Sequence, residues 1–298
     1  MFKEPLYQIR NNGDKIDVTF AFVRENFKSV LKSCMLYSLP FSLLLLGLFA
    51  YFYVLSVWNP YATITNDIRL FIYEILYIAF AIDLIIITPL ALTLVDIDYN
   101  HGGLKNKKLK DTWIYFKRNM MKTLAMPFLQ IALFLVIFHG ITFFERETNH
   151  LLWMMFAYLI LILGSYCLPA FCIGKQTFSK SIQTIATYGI GRFFNTLFFT
   201  FIMFIICILI FFWEIMLAAF LIEVAVDFLG TNTTEHIIAY SVFGVVLAFI
   251  WIVFTFTINL ALITFNIGLV FQYGTAEEKH KNISIKEKIE NFENLKDL

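Results

Sequence analysis

The chain has 298 residues, of which 59% are hydrophobic, 18% aromatic and only 15% charged, with a mean hydropathy of +0.74. Soluble domains carry about a quarter of charged residues, so this composition excludes an ordinary soluble globular protein. The net charge of +1 hides a lopsided distribution, which sets the predicted orientation below.

Residues 1–15 form a polar lead with a turn signal at Asn11-Asn12-Gly13. Acidic residues at Asp14, Asp17 and Glu25, and no apolar core of the right kind, argue against a cleavable signal peptide. Ile16, Phe20, Val23 and Phe27 then recur at helical spacing, followed by Val30, while Asp17, Arg24, Glu25 and Lys28 take other faces. Such a helix lies in a membrane interface or packs on the cytoplasmic ends of membrane spans. Apolar runs at Ser33–Trp58 and Leu70–Val95 follow, joined by the short turn Asn59–Arg69.

An offset of 93 turns Ile16, Phe20, Val23, Phe27 and Val30 into Leu109, Trp113, Phe116, Met120 and Thr123. Thr19 matches Thr112, Asn26 matches Asn119 and Leu31 matches Leu124, without a gap. This second amphipathic run passes straight into spans Met126–Phe144 and Leu151–Ile173. An offset of 166 gives a third copy at Ile182, Ala186, Gly189, Phe193, Thr196 and Leu197. Gly189 and Gly191 weaken it, by ~1 kcal/mol of helix propensity each. Spans Phe199–Leu229 and Ile237–Val270 complete that unit. Pro89-Leu90-Ala91-Leu92 closes span two and Pro169-Ala170-Phe171-Cys172 closes span four, whereas span six has no matching proline.

These runs reach the ~20 residues that cross a hydrocarbon core. The predicted fold is an all-α integral membrane protein of six transmembrane helices. Three repeated units of interfacial amphipathic helix plus transmembrane hairpin cover about 16–95, 109–173 and 182–273 of a single membrane domain, 1–273. The tail, 274–298, leaves the membrane at Gly274, and Ser284-Ile285-Lys286-Glu287 fits a capping box for a short amphipathic helix. The outer turns are too short for an outer domain; Asn232 in one of them is formally a glycosylation sequon.

Of the 23 Lys and Arg residues, all but Arg69 and Arg146 fall on one side of the spans. Lysine-rich loops stay cytoplasmic, which places both termini in the cytoplasm of a cell whose inner membrane the chain crosses. The basic face is read as resting on anionic lipid headgroups rather than on nucleic acid. A protein partner through the cytoplasmic helices or the tail is also open.

Charged residues at bilayer depth cost ~2.5–3.5 kcal/mol on insertion scales. Asp83 lies near the middle of span two, inside AFAIDLIII. It reads as a proton, cation or substrate site, or as a protonated carboxyl held by a neighbouring span for packing alone. Gln130, Glu214 and Asn259 could join it around one polar cavity; Asn266 and Gln272 on span six are read as interhelical hydrogen-bonding residues. Glu223 and Asp227, one helical turn apart, form either an outer acidic rim or a weak cation site.

The four cysteines (Cys34, Cys167, Cys172, Cys207) fall inside apolar spans, without metal-ligand or disulfide spacing. The five histidines are scattered, and His101-Gly102-Gly103 is a lone glycine-rich turn. No nucleophile elbow or P-loop is present. The residues imply no catalytic site, metal or cofactor.

The lead ending FVRENFKSVLK, the span-closing motifs at Pro89 and Pro169, and the exit FQYGTAEEK resemble the bacterial membrane proteins related to the membrane domain of glycerophosphoryl diester phosphodiesterases. The resemblance runs over nearly the whole chain. The phosphodiesterase part of that family is a separate soluble barrel with His-Arg and Glu-Asn metal motifs. Glu25-Asn26 has no matching His-Arg here, so no catalytic residue carries over. The resemblance implies a membrane module without the enzyme, and the Lys-, Asn-, Ile- and Phe-rich composition suits a bacterium. The expected function is non-enzymatic binding, assembly or regulation; a small transporter or lipid-handling protein with a polar cavity around Asp83 is the alternative. A lipid-directed enzyme would need clustered His, Asp or Glu at the interface, which the sequence does not show.

Overall fold

The computed structural model describes residues 4–40, 43, 47, 86–107, 109–123, 166–189, 192–229 and 236–282. Among them every regular element is helical, so the fold is all-α. The elements are α1 (Asn12–Glu25), α2 (Phe27–Ser33), α3 (86–100), α4 (Leu109–Thr123), α5 (Leu168–Cys172), α6 (Phe178–Thr184), α7 (Phe193–Leu229) and α8 (His236–Lys281). One compact unit comprises Met1–Val30, Thr88–Met203 and Ile263–Leu298; the other comprises Leu31–Ile87 and Phe204–Leu262.

In the first unit, Asn11 is the N-cap of α1 rather than part of a loop. Its side chain accepts from Asp14 N at 2.8 Å, and Asp14 returns a bond to Asn11 N at 3.2 Å, closing a capping box. The face that α1 buries differs from the predicted apolar stripe. Lys15, Val18, Thr19, Phe22, Val23, Asn26 and Val30 are buried, whereas Phe20 and Phe27 are exposed. Helix α4 repeats this. Thr112, Phe116, Asn119 and Thr123 are buried, and Lys110, Trp113, Ile114, Lys117 and Met121 form an exposed stripe. The polar residues matched by the 93-residue offset are therefore the ones packed inside.

Each amphipathic helix of this unit rests on a helix that ends an apolar run. Helix α4 meets α3 through Asn119 Nδ2 donating to Thr93 Oγ1 at 3.1 Å. The third amphipathic segment meets residues 166–173 through the Tyr166–Tyr188 and Phe171–Phe178 edge contacts. Helix α1 meets the last part of α8 through Phe22 and Phe271, whose ring centroids lie 6.1 Å apart. The chain's first amphipathic helix thus packs on its last long helix.

Gly274, taken above as the exit from the membrane, lies inside α8, which continues to Lys281. Asn282, with φ of 51°, ends it in the left-handed conformation common past helix C-termini. The polar lead is anchored rather than loose. Arg10 donates to the Pro5 and Leu6 carbonyls and to Gln8 Oε1, and Tyr99 Oη donates to the Glu4 carbonyl at 2.6 Å. A Cβ on Gly274 would collide with the Leu6 carbonyl. Gly274→Ala is therefore expected to destabilise the protein by ~1–3 kcal/mol, read from thermal unfolding in detergent. Gly47→Ala, where a Cβ meets nothing within 4 Å, serves as the neutral control.

In the second unit, Cys34 and Cys207 are buried, and Cys207 Sγ lies 3.9 Å from the Ala261 carbonyl. Phe204, Ile205, Ile208, Leu209, Phe212, Met216 and Phe220 of α7 are exposed. An apolar surface of that extent is foreign to a soluble monomer. Among the described residues, Thr255–Lys281 is long and apolar enough to cross a membrane. A second span is reached if Phe178–Gly189 and Phe194–Leu209, whose axes differ by 93°, are counted as one.

Candidate functional site

Two buried polar centres stand out, both in the first unit. The first is built on Lys15, which the helical register of α1 aims inward. Its side chain is fully buried. Nζ donates to Gln272 Oε1 of α8 and lies 5.0 Å from the centroid of the Phe199 ring. Gln272 Nε2 in turn donates to Tyr166 Oη at 3.1 Å and to Thr196 Oγ1 at 3.3 Å. Among the described residues no carboxylate lies within ion-pair distance of Lys15. Burial pushes its pKa down to about 8, and the neighbouring Lys279 and Arg192 charges add to the shift. Chemically this is an amine that can lose its proton near physiological pH, held by a neutral amide and an aromatic face.

The second centre is Asp96 at the end of α3. It is fully buried and accepts from Arg118 Nη2 at 2.7 Å and from Asn100 Nδ2 at 2.8 Å. His101 Nε2 is 3.7 Å away, and its ring stacks on Tyr115 at 4.3 Å. Burial, foremost, lowers the His101 pKa; Asp96 opposes this, and Arg118, Lys175 and Lys107 reinforce it. The shift favours the neutral imidazole, which can accept from Arg118, whose Nη2 is 3.4 Å from Nε2. The glycine pair that follows closes a helix end. His101 N and Gly103 N both donate to the Ile97 carbonyl, and Gly102 and Gly103 take φ of 84° and 95°. Asp98, also buried, accepts from Leu104 N at 3.0 Å. His101-Gly102-Gly103 is thus a C-cap.

A third group lies along the last turns of α8. Gln176 Nε2 donates to Glu277 Oε1 at 3.1 Å, and Lys281 Nζ donates to the same oxygen at 2.5 Å. Burial and the Glu277 carboxylate raise the pKa of the nearby Tyr188.

The sequence-derived candidates fall mostly outside the described side chains. Asp83 and Gln130 lie outside the described residues. Glu214, Glu223 and Asp227 fall on α7, the last two one turn apart, with their side chains outside the described set. Asn259 is fully buried on α8, in the second unit. Asn232 and the predicted helix from Ser284 also lie outside the described residues. All four cysteines are buried, and none is in a disulfide. No group of three or more His, Cys, Asp or Glu among the described residues could hold a metal ion.

Sequence reasoning missed Lys15 and Asp96. Lys15 was legible as a polar position on the matched register: it stands one step before Ile16, and the 93-residue offset matches Lys15 to Lys108. Asp96 sits one residue past the apolar run ending at Val95, where an acidic residue reads as ordinary loop. No protein-family model, curated protein or solved structure matches the chain.

Proposed function

We propose that this chain is a multi-pass inner-membrane protein of six spans with both termini cytoplasmic. It acts as a non-enzymatic binding, assembly or regulatory module through its basic amphipathic helices. The observation that carries this reading is the outward face of α4, where Lys110, Trp113, Ile114, Lys117 and Met121 are all exposed. Trp113, Ile114 and Met121 are 50%, 65% and 66% exposed. Aromatic and aliphatic side chains interleaved with lysines on one face suit an anionic membrane surface. Polar Thr112, Asn119 and Thr123 pack inward instead. The seating of α1 on α8 supports a repeat of three units closed on itself, and the resemblance to a phosphodiesterase-linked membrane domain supports a module lacking the enzyme.

The test compares two variants for rescue of a deletion strain. Lys110→Glu with Lys117→Glu is expected to abolish rescue at an unchanged level of inserted protein, and Asp83→Asn to retain it. The transport reading predicts the reverse.

A further inference from the structure

Two open grooves in the first unit occupy equivalent places in the repeat. One, of about 440 Å³, is lined by Met121, Lys122, Phe171 and Phe178. The other, of about 570 Å³, is lined by Asn12, Asn195 and apolar side chains from Phe194 to Phe201. The offsets of 93 and 166 make Met121 and Lys122 the counterparts of Phe194 and Asn195, and Phe178 the counterpart of Asn12. Each groove thus joins the C-terminal end of one amphipathic copy to the start of another. They differ in charge, since the position held by Lys122 in one is Asn195 in the other.

We infer that the Lys122 groove is a binding site for a single anionic phospholipid, with an acyl chain against Met121, Phe171 and Phe178 and the headgroup phosphate on Lys122. The inference rests on the membrane-interface reading given above. The volume falls within the ~300–1,000 Å³ of small-molecule sites. Among the described residues its walls are apolar apart from one ammonium, which matches an amphiphile with one anionic end. An inorganic anion would leave those walls uncovered, and a peptide would find few partners for its backbone. Lys122 Nζ lies 5.5 Å from the Phe171 ring centroid and forms no ion pair among the described residues. Arg118, one turn earlier on α4, is paired with Asp96 at 2.7 Å, so Lys122 is the cation left to meet an anionic headgroup among the described lining residues.

The full chain is reconstituted in phosphatidylethanolamine vesicles with a trace of diazirine-bearing phosphatidylglycerol or phosphatidylcholine, and cross-linked peptides are mapped by mass spectrometry. The phosphatidylglycerol probe is expected to label Met121 and Phe178 about fivefold more than the phosphatidylcholine probe. Lys122→Gln should bring that ratio to one. Asn195→Lys should raise it at the Phe194–Phe201 groove, and this gain decides the matter if Lys122→Gln fails to fold. Equal labelling by both probes in the native chain, or a preference that survives Lys122→Gln, overturns the site and leaves the membrane reading standing. Failure of either lipid to label Met121, with Met121→Cys reacting freely with an aqueous maleimide, overturns both.

Discussion

Between about pH 8 and pH 10.5 the protein is expected to become more stable, and Lys15 is the reason. The folded pKa is about 8, against an ordinary value of 10.5. In that window the unfolded chain binds more protons than the folded one, so stability rises with pH. Below pH 8 the charged amine is present in both states and its burial opposes folding by on the order of 3 kcal/mol. The rise comes from relief of that opposition. Lys15→Met should remove the rise while changing stability at pH 7 by only about 1 kcal/mol, because the relief from burying a charge is offset by the partner lost to Gln272 Oε1. Thermal unfolding of both proteins in one detergent across pH 7–10 gives the comparison. Parallel pH profiles for the two proteins would show that Lys15 does not carry the effect.

Arg118→Met should destabilise the protein by ~2 kcal/mol. The change leaves Asp96 buried with Asn100 as its remaining close donor, and breaking a buried pair costs ~3–5 kcal/mol. The lower figure follows because the Arg118 side chain is 43% exposed and solvent screens the pair. The double variant Arg118→Met/Asp96→Leu should recover a substantial part of the loss, since no uncompensated charge remains. Additive losses in the double-mutant cycle would mean that the two side chains do not stabilise the fold as a pair. The link matters because Arg118 and Asn119 tie α4 to α3, and α4 carries the lysines and aromatic residues proposed to meet the membrane.

The three amphipathic segments were legible because their spacing recurs at fixed offsets. Their packed face was not. Hydropathy selects Ile16, Phe20 and Phe27 as one apolar stripe, for a membrane interface or for the ends of the spans, without choosing between them; Phe20 and Phe27 are exposed and Lys15, Thr19 and Asn26 are inside. In water the apolar stripe has one refuge, the protein core. At a membrane interface it has a second, and polar groups inside the protein can then hydrogen-bond to one another. Thr19, whose Oγ1 donates to the Lys15 carbonyl at 2.6 Å, and Asn119, bonded to Thr93, do so. The packing role of Gly274 was not legible either: it makes room for the Leu6 carbonyl, and only the lead's path across α8 reveals that. The intramembrane candidates centred on Asp83 drew on span depth alone, a one-dimensional quantity that does not say which helices face each other.

Membrane topology is the most direct test of the account. Single cysteines are placed at Asn66, Thr148 and Thr233 in the predicted outer turns, and at Lys110, Ser179 and Ser284 on the predicted cytoplasmic side. The four native cysteines, all buried, are first replaced by alanine or serine. A membrane-impermeant maleimide applied to intact cells should label the first three and reach the other three only after the membrane is permeabilised. Labelling of Lys110→Cys or Ser179→Cys in intact cells, or protection of Asn66→Cys and Thr148→Cys, would contradict a six-span protein that presents its basic helices to the cytoplasmic face.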